Sequence, residues 1–111
     1  MNLLYLKSDK IGADERSLGK KLLIAFLKNL AASEQQVDVI GCISSGVMLT
    51  THEGKALDYL RILESKGAKI VSCGTCLDHY GLSKNLLIGE LGNMAMNVEV
   101  MYTYDRIINP C

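Results

Sequence analysis

The sequence predicts an α/β fold in which helices cover both faces of a mostly parallel sheet. Five short apolar runs alternate along the chain with segments of helical periodicity, and this order is typical of βαβ units. The 111 residues are 49% hydrophobic and 22% charged, with one Phe and no Trp. Such a balance is typical of a globular protein with a mostly aliphatic core. We therefore expect one domain over residues 1–111.

The first half of the chain predicts two strands with a helix between them. Residues 2–6 form an apolar run that ends in a polar loop containing Gly12, as a buried strand does. From about Asp14 to Ala32, apolar residues recur at steps of three and four, which predicts an amphipathic helix. Residues 37–42 predict the second strand, and residues 44–47 predict a turn of small residues after it.

The middle of the chain predicts a helix followed by the third strand. Thr50-Thr51-His52-Glu53 has the spacing of a capping box, and the apolar stripe behind it predicts a helix that ends at Lys66-Gly67. Residues 68–72 predict the third strand. Cys73 is then expected where this strand passes into a loop, and Cys76 where the next helix begins.

Beyond Gly81 the pattern is weaker. It predicts strands at residues 86–88 and 106–108, with a helix at residues 92–102 between them. In open parallel sheets, ligands bind beyond the carboxyl ends of the strands. The loops expected at that edge are residues 8–12, 43–47, 73–76 and 89–94.

Charge and hydropathy exclude two classes of partner. Twelve Lys and Arg balance twelve Asp and Glu, so no positive field attracts nucleic acid or an anionic membrane. No run reaches the ~18 apolar residues that a membrane helix needs, and the first residues lack the features of a secretory signal. A cytosolic protein without nucleic-acid or membrane partners is expected. Its four cysteines are then expected to be reduced thiols.

The chemistry is expected to centre on the pair Cys73 and Cys76, which flank Gly74 and Thr75. A thiolate is the reactive form of cysteine, and the start of a helix lowers a thiol's pKa through its dipole and unpaired N–H groups. Gly74 permits a tight turn in which such N–H groups converge on a sulfur. A second thiol two residues on resolves a mixed disulfide or persulfide formed at the first. Thiol chemistry, half of a zinc site and inert burial are the three alternatives.

A zinc site requires four ligands, and this segment offers Cys73, Cys76 and His79, with Cys42 or His52 as further candidates. A second C-x-x-C motif is missing, and no metal is expected. His79 also follows Cys76 by three residues, so it lies on the same helical face and is a candidate for stabilising a thiolate or passing protons. A lone histidine near a helix end is more often an ordinary surface residue.

Two other kinds of site lack the residues they need. A thioredoxin-like site places a cis-proline opposite its cysteines, and the only proline here is Pro110, next to the end. The chain has neither a G-x-G-x-x-G nor a P-loop pattern, so nucleotide binding has no sequence support. We expect no cofactor.

The small residues of the turn after the second strand are further candidates. The N–H groups and hydroxyls of Ser44, Ser45 and Gly46 suit an anionic or sulfur-bearing group, although small residues also close tight turns. Asn93 is a polar candidate beside the same edge. Among the other cysteines, Cys42 is expected to be a buried small hydrophobe, and the terminal Cys111 to be mobile.

Five segments carry a family resemblance. They are Ser8-Asp9-Lys10-Ile11-Gly12, Leu18-Gly19-Lys20, Ser45-Gly46-Val47, Cys73-Gly74-Thr75-Cys76-Leu77-Asp78-His79-Tyr80-Gly81-Leu82, and Leu87-Ile88-Gly89-Glu90 running to Asn93-Met94. Together they resemble the DsrE/DsrF-like family, most closely the C-terminal domain of YedF-type proteins linked to selenium metabolism. The resemblance spans nearly the whole chain, and its C-G-T-C-L-D-x-Y-G-L segment is the most specific part.

The resemblance implies a three-layer α/β/α sandwich with a five-stranded parallel sheet, and assembly into homo- or hetero-oligomers. Sulfur-relay members of the family carry persulfide on a cysteine at the end of the third strand, eight residues before a glycine. Cys73 and Gly81 match that spacing (81 − 73 = 8). The resemblance therefore implies that Cys73 is the acceptor and that Cys76 is the resolving or alternative thiol.

The resemblance implies a sulfurtransferase-like carrier of sulfur or selenium. Where YedF-type relatives usually have Asn before Ser-Gly-Val, this chain has Ser44. We also expect no sulfur-carrier domain ahead of the DsrE-like part, unlike in those proteins, and therefore expect a separate sulfur-carrier protein as donor or acceptor. The alternative is a non-catalytic binding or assembly subunit, since some relatives lack the cysteine.

Overall fold

Five strands form a single sheet in the computed structural model, which describes all 111 residues. The strands are β1 (Asn2–Leu6), β2 (Val39–Cys42), β3 (Lys69–Cys73), β4 (Glu90–Gly92) and β5 (Arg106–Ile108). Their order across the sheet is β4-β3-β2-β1-β5, and every neighbouring pair is parallel. The predicted α/β fold with a five-stranded parallel sheet is confirmed.

Helices connect the strands and lie on both faces of the sheet. They are α1 (Arg16–Ala32), α2 (Met48–Thr51), α3 (Lys55–Ser65), α4 (Gly74–His79) and α5 (Met94–Thr103), with a 3-10 helix at Ser44–Val47 just before α2. The result is the three-layer α/β/α sandwich. None of these helices combines the length and the apolar composition that crossing a membrane requires.

The main hydrophobic core lies between the sheet and the helices α1 and α3. Successive side chains of a strand point to opposite faces, so alternate residues of the central strands enter this core. They are Leu4, Leu6, Ile40, Cys42 and Ile70. Helix α1 adds Leu23 and Leu27, and α3 adds Leu57, Leu60 and Leu63. Burying one such leucine contributes roughly 2 kcal/mol, so the cluster holds both helices on the sheet.

The opposite face of the sheet is covered by α5, and this cover is loose. Helix α5 is mostly apolar, yet none of its residues is buried. Val98 is 49% exposed and Tyr102 is 89% exposed. One polar contact attaches the helix, a hydrogen bond of 3.2 Å from Asn97 Nδ2 to the hydroxyl of Tyr5 on β1. The two faces of the sheet therefore differ sharply in how tightly they are packed.

The strand predicted at residues 86–88 is wrong, because β4 begins at Glu90. Ile88 is buried in the main core without joining the sheet, and Leu87 N–H donates to the carbonyl of Thr50 at 2.9 Å. Gly89 then turns the chain with φ of +74°. The apolar run therefore reflects burial of a loop segment and not strand pairing.

The capping box predicted at residues 50–53 is also wrong. Thr50 and Thr51 belong to α2, and their hydroxyls donate to the carbonyl of Val47 at 3.1 and 2.9 Å. Helix α3 begins only at Lys55, after Gly54, and no side chain caps it. Because the threonine hydroxyls form hydrogen bonds within α2, they do not cap the start of α3.

Candidate functional site

Cys73 is the last residue of β3, as the sequence predicts, and it also caps the start of α4. Alternation along the strand directs Ser72 towards the main core and Cys73 towards α5. Its side chain borders a cavity of about 50 Å³ between the sheet and α5, which we call the α5 cavity. The residue is only 8% exposed. Little of this thiol is therefore directly accessible to a partner.

The α5 cavity is mostly apolar. Its other lining residues include Val71, Asn93, Met94, Met96, Asn97 and Val100. Asn93 Oδ1 accepts a hydrogen bond of 2.9 Å from the Met96 N–H and thereby caps α5. This predicted binding residue is thus brought beside Cys73, but its carbonyl is already used by the helix.

Cys76 lies in the first turn of α4 and is partly exposed. The backbone N–H of Ser44 donates to its Sγ at 3.1 Å. Ser44 is the one non-glycine residue with positive φ, at +51°, a conformation that costs an L-residue roughly 1–2 kcal/mol. The unusual backbone at Ser44 directs an N–H group onto a sulfur, which is a feature often found at functional sites.

Gly46 holds this backbone in place. A Cβ atom at Gly46 would lie 2.1 Å from the carbonyl oxygen of Leu6, so any larger residue would push the 3-10 helix away from β1. Gly74 is less crowded, since a Cβ there would lie 3.4 Å from the carbonyl oxygen of Gly92. The glycine of the turn thus serves close packing and positions Ser44.

The surroundings of Cys76 raise the pKa of its thiol. Partial burial is the main cause, the Ser44 N–H lowers the pKa, and the neighbouring Cys73 raises it. The lowered pKa expected of a thiol at a helix start is therefore not found at Cys76. A negative charge on Cys73 suppresses ionisation of its neighbour, so the pair holds one charge more readily than two.

The remaining predicted binding residues are only partly gathered at the pair. Thr75 is exposed next to Cys76. The Ser45 hydroxyl accepts from the Asp9 N–H at 3.4 Å, away from the sulfurs. Gly12 is exposed in the loop before α1 and borders no cavity that contains a cysteine. Ser44 is therefore the turn residue that meets the thiol pair.

His79 is exposed at the end of α4 and makes no hydrogen bond to either cysteine. Its ring meets the edge of Tyr80, with the centroids 5.2 Å apart. No group of three His, Cys, Asp or Glu residues lies close enough together to hold a metal ion. The zinc hypothesis thus has no set of ligands in this fold.

The other two cysteines also lie at the carboxyl edge of the sheet. Cys42 ends β2 and is fully buried, as expected. Cys111 was expected to be mobile, but it packs against the main core, and its Sγ contacts the Ser8 carbonyl at 3.7 Å. Complete burial, helped by the charge of Cys111, raises the pKa of Cys42 to about 12.

Several polar residues near the edge were not found from the sequence. The hydroxyls of Thr50 and Ser72 lie 2.7 Å apart, and both residues are fully buried beside β3. Asp9 is buried in the loop after β1 and pairs with Arg16. Two features of the sequence could have indicated these buried polar residues. Ser72 is a polar residue inside an apolar strand, and Asp9 follows the carboxyl end of a strand.

Known structures share this architecture over nearly the whole chain. YchN protein from E. coli matches with a TM-score of 0.66 and 19% identity, over 97% of both chains. MTH1491 from Methanobacterium thermoautotrophicum matches with a TM-score of 0.70 and 19% identity, over 98% of this chain and 97% of that one. This protein has a DsrE-like fold.

A third structure extends the comparison. BT1422 from Bacteroides thetaiotaomicron matches the DsrE-like fold with a TM-score of 0.67 and 15% identity, over 97% of this chain and 93% of that one. MTH1491 and BT1422 are described as proteins of unknown function. No protein-family model matches the chain, and no curated protein matches its sequence. The neighbours thus support the predicted fold and assign no reaction.

The buried Cys42 predicts a specific loss of stability at high pH. Unfolding returns its pKa from about 12 to 9.0, so its contribution is fully present below pH 9 and is lost as the pH rises towards 12. We expect the free energy of unfolding of the wild type to fall more steeply than that of Cys42→Ala, by about 1.4 kcal/mol per pH unit. Urea unfolding of both proteins across this range measures the difference, and parallel curves would contradict it.

The backbone of Ser44 predicts opposite effects of two substitutions. Asn tolerates positive φ, so Ser44→Asn keeps the N–H on Cys76 and leaves its alkylation rate unchanged. Ser44→Val places a β-branched residue in this region and costs about 1–3 kcal/mol of stability. Moving the N–H away raises the pKa of Cys76 further, so iodoacetamide should modify it more slowly at neutral pH. Peptide mass mapping measures the rate, and equal rates in both variants would refute the role of Ser44.

Proposed function

We propose that this protein is a cytoplasmic sulfurtransferase-like carrier that accepts a sulfane sulfur or selenium atom on Cys73. The observation that carries the proposal is the thiol pair itself, with Cys73 at the end of β3, Cys76 in the first turn of α4 and the Ser44 N–H directed at Cys76. In the loading step, the Cys73 thiolate attacks the outer sulfur of a partner's persulfide. The S–S bond of the partner breaks, its thiolate leaves, and Cys73 carries the persulfide.

The α5 cavity supports this assignment of the carrier role. Its volume of about 50 Å³ beside Cys73 provides space for one additional heavy atom. Its lining is mostly apolar and Cys73 itself is only 8% exposed, so little water contacts a reactive sulfur held there. Cys76 is the more exposed of the two thiols, so it is placed to pass the sulfur on after Cys73 has been loaded.

Cys76 acts as the resolving or alternative thiol in this proposal. When the Cys76 sulfur attacks the inner sulfur of the Cys73 persulfide, a disulfide forms between the two residues and hydrosulfide leaves. When it attacks the outer sulfur, the sulfur atom passes to Cys76 and the Cys73 thiol is regenerated. Partial burial and the neighbouring Cys73 raise the pKa of Cys76, which favours its protonated form and slows its attack.

The partner in this proposal is a separate sulfur-carrier protein, as donor or as acceptor. Ser44 and Thr75 flank Cys76 and are exposed, so a chain that presents a persulfide has a polar surface to contact. The chain carries no net charge, which favours recognition through shape and hydrogen bonds over long-range attraction.

We further propose that the protein forms a homo-oligomer through α5 and β5. Helix α5 buries none of its residues, and Ile107 and Ile108 on β5 are 40% and 39% exposed. Strand β5 is also an edge of the sheet, where unpaired backbone groups invite pairing with another chain. A second copy would bury this apolar surface and tighten the cover of Cys73.

A non-catalytic assembly subunit is the second candidate function. The observation that favours it is the same exposed surface of α5 together with the raised pKa of Cys76, which slows its reaction. In that case the thiol pair has no carrier role, and the oligomer forms whether or not the cysteines are present.

Persulfide loading tests the carrier proposal directly. The reduced protein is incubated with glutathione persulfide and its intact mass is measured. We expect the wild type and Cys111→Ser to gain a sulfur atom and Cys73→Ser to lose most of this gain, because Cys73 is the acceptor. If the wild type gains no sulfur, or if the double variant Cys73→Ala/Cys76→Ala gains as much sulfur as the wild type, the carrier proposal is contradicted. Either result would favour the assembly role.

Oligomer formation has its own test. Val98→Glu places a charge on the exposed side of α5, and we expect it to convert the wild-type oligomer to monomers in analytical ultracentrifugation. Ile62→Glu is the matched control, since Ile62 is 42% exposed on α3, away from α5. A monomeric wild type, or equal dissociation of both variants, would refute the proposed interface. Far-UV circular dichroism shows whether each variant is folded.

A further inference from the structure

A second and larger cavity lies on the side of the sheet that carries the main core. It has a volume of about 560 Å³ and opens between α1, α2 and the start of α3, a size typical of small-molecule sites. We call it the Asp9 cavity. Its polar lining residues include Asp9, Arg16, Lys20, Ser45, His52 and Lys55. Neither Cys73 nor Cys76 borders it, so it is separate from the thiol pair.

Asp9 is a buried carboxylate with an incomplete set of partners. It is 7% exposed, and its Oδ2 accepts a hydrogen bond of 2.7 Å from Arg16 Nη2. Its Oδ1 is buried and has no hydrogen-bond partner. Leaving a buried carboxylate oxygen without a donor costs about 1–3 kcal/mol or more. A ligand that brings a donor to Asp9 would recover that energy.

The other charges of the Asp9 cavity do not balance. Arg16 contacts only one of the two oxygens of Asp9, and Glu53 pairs with Arg61 at 3.6 Å. Lys20 and Lys55 border the cavity and take part in no ion pair. Two cations without partners favour an anionic group, such as a carboxylate, in the same cavity.

Apolar side chains complete the lining. They are Leu23, Ile24, Met48, Leu49, Ala56 and Leu57. These residues offer a surface for a hydrocarbon group, whose burial contributes about 25 cal/mol per Å². One small molecule that carries a donor, a carboxylate and a hydrocarbon side chain therefore matches all three parts of the cavity.

We propose that the Asp9 cavity binds a free amino acid with an apolar side chain. Lys20 and Lys55 hold its carboxylate, and its ammonium group donates to Asp9. An ammonium suits this position better than a hydroxyl, because a charged donor on a carboxylate makes roughly twice as strong a hydrogen bond. The site adds a binding activity that does not depend on the carrier role of Cys73.

Calorimetry with three matched ligands tests the proposal. L-Leucine, 2-hydroxy-4-methylpentanoate and 4-methylpentanoate share a carboxylate and a hydrocarbon chain and differ at the second carbon, which carries an ammonium, a hydroxyl or no donor. We expect leucine to bind at least about tenfold more tightly than 4-methylpentanoate, since only leucine satisfies Asp9 with charge. No binding of leucine, or equal binding of leucine and either analogue, would overturn the proposal.

Variants assign the contacts. Asp9→Asn should abolish the advantage of leucine over 4-methylpentanoate, because it removes the charge that the ammonium meets. Lys20→Gln should weaken both ligands about equally, and Lys28→Gln, an exposed lysine of the same helix outside the cavity, is its matched control. If Asp9→Asn fails to fold, the comparison of Lys20→Gln with Lys28→Gln still tests the proposed carboxylate site. Equal losses in Lys20→Gln and Lys28→Gln would contradict the assigned carboxylate site.

Discussion

The candidate site depends on how closely the chain after β2 packs against the end of β1. At Gly46 there is no room for a Cβ atom, which would lie 2.1 Å from the Leu6 carbonyl oxygen. This contact fixes the 3-10 helix, and the helix in turn holds Ser44 at positive φ with its N–H on Cys76. Parallel pairing of β2 with β3 brings that segment beside the end of β3. A contact between backbones thus sets the surroundings of a thiol on another strand.

One face of the sheet contains most of the hydrophobic core, and the other face contains Cys73 under a loosely packed helix. The face towards α1 and α3 contains nearly all the buried leucines, whereas α5 on the other face buries none of its residues. Cys73 points to the weakly covered face. Elements with few buried apolar contacts open at low free-energy cost, so α5 is the element whose opening would expose this thiol with the least effect on the main core.

Local patterns predicted the elements well where burial and periodicity agree. The bounds of β1 and β5 match the expected residues 2–6 and 106–108, and the helix expected from about Asp14 begins at Arg16. The strand expected at residues 86–88 failed because Ile88 is buried from a loop. Apolar content alone does not distinguish a strand from a packed loop. The capping box failed because α2, which tertiary packing supports, consumes the hydroxyls of Thr50 and Thr51.

The site itself was only partly predictable, because its key contacts join residues distant in sequence. The motif located Cys73 and Cys76 correctly at the end of β3 and in α4. Nothing local indicated that the Ser44 N–H reaches Cys76 across 32 positions, or that the pKa of Cys76 is raised. A raised pKa slows attack by a thiol, which supports the later, resolving role proposed for Cys76.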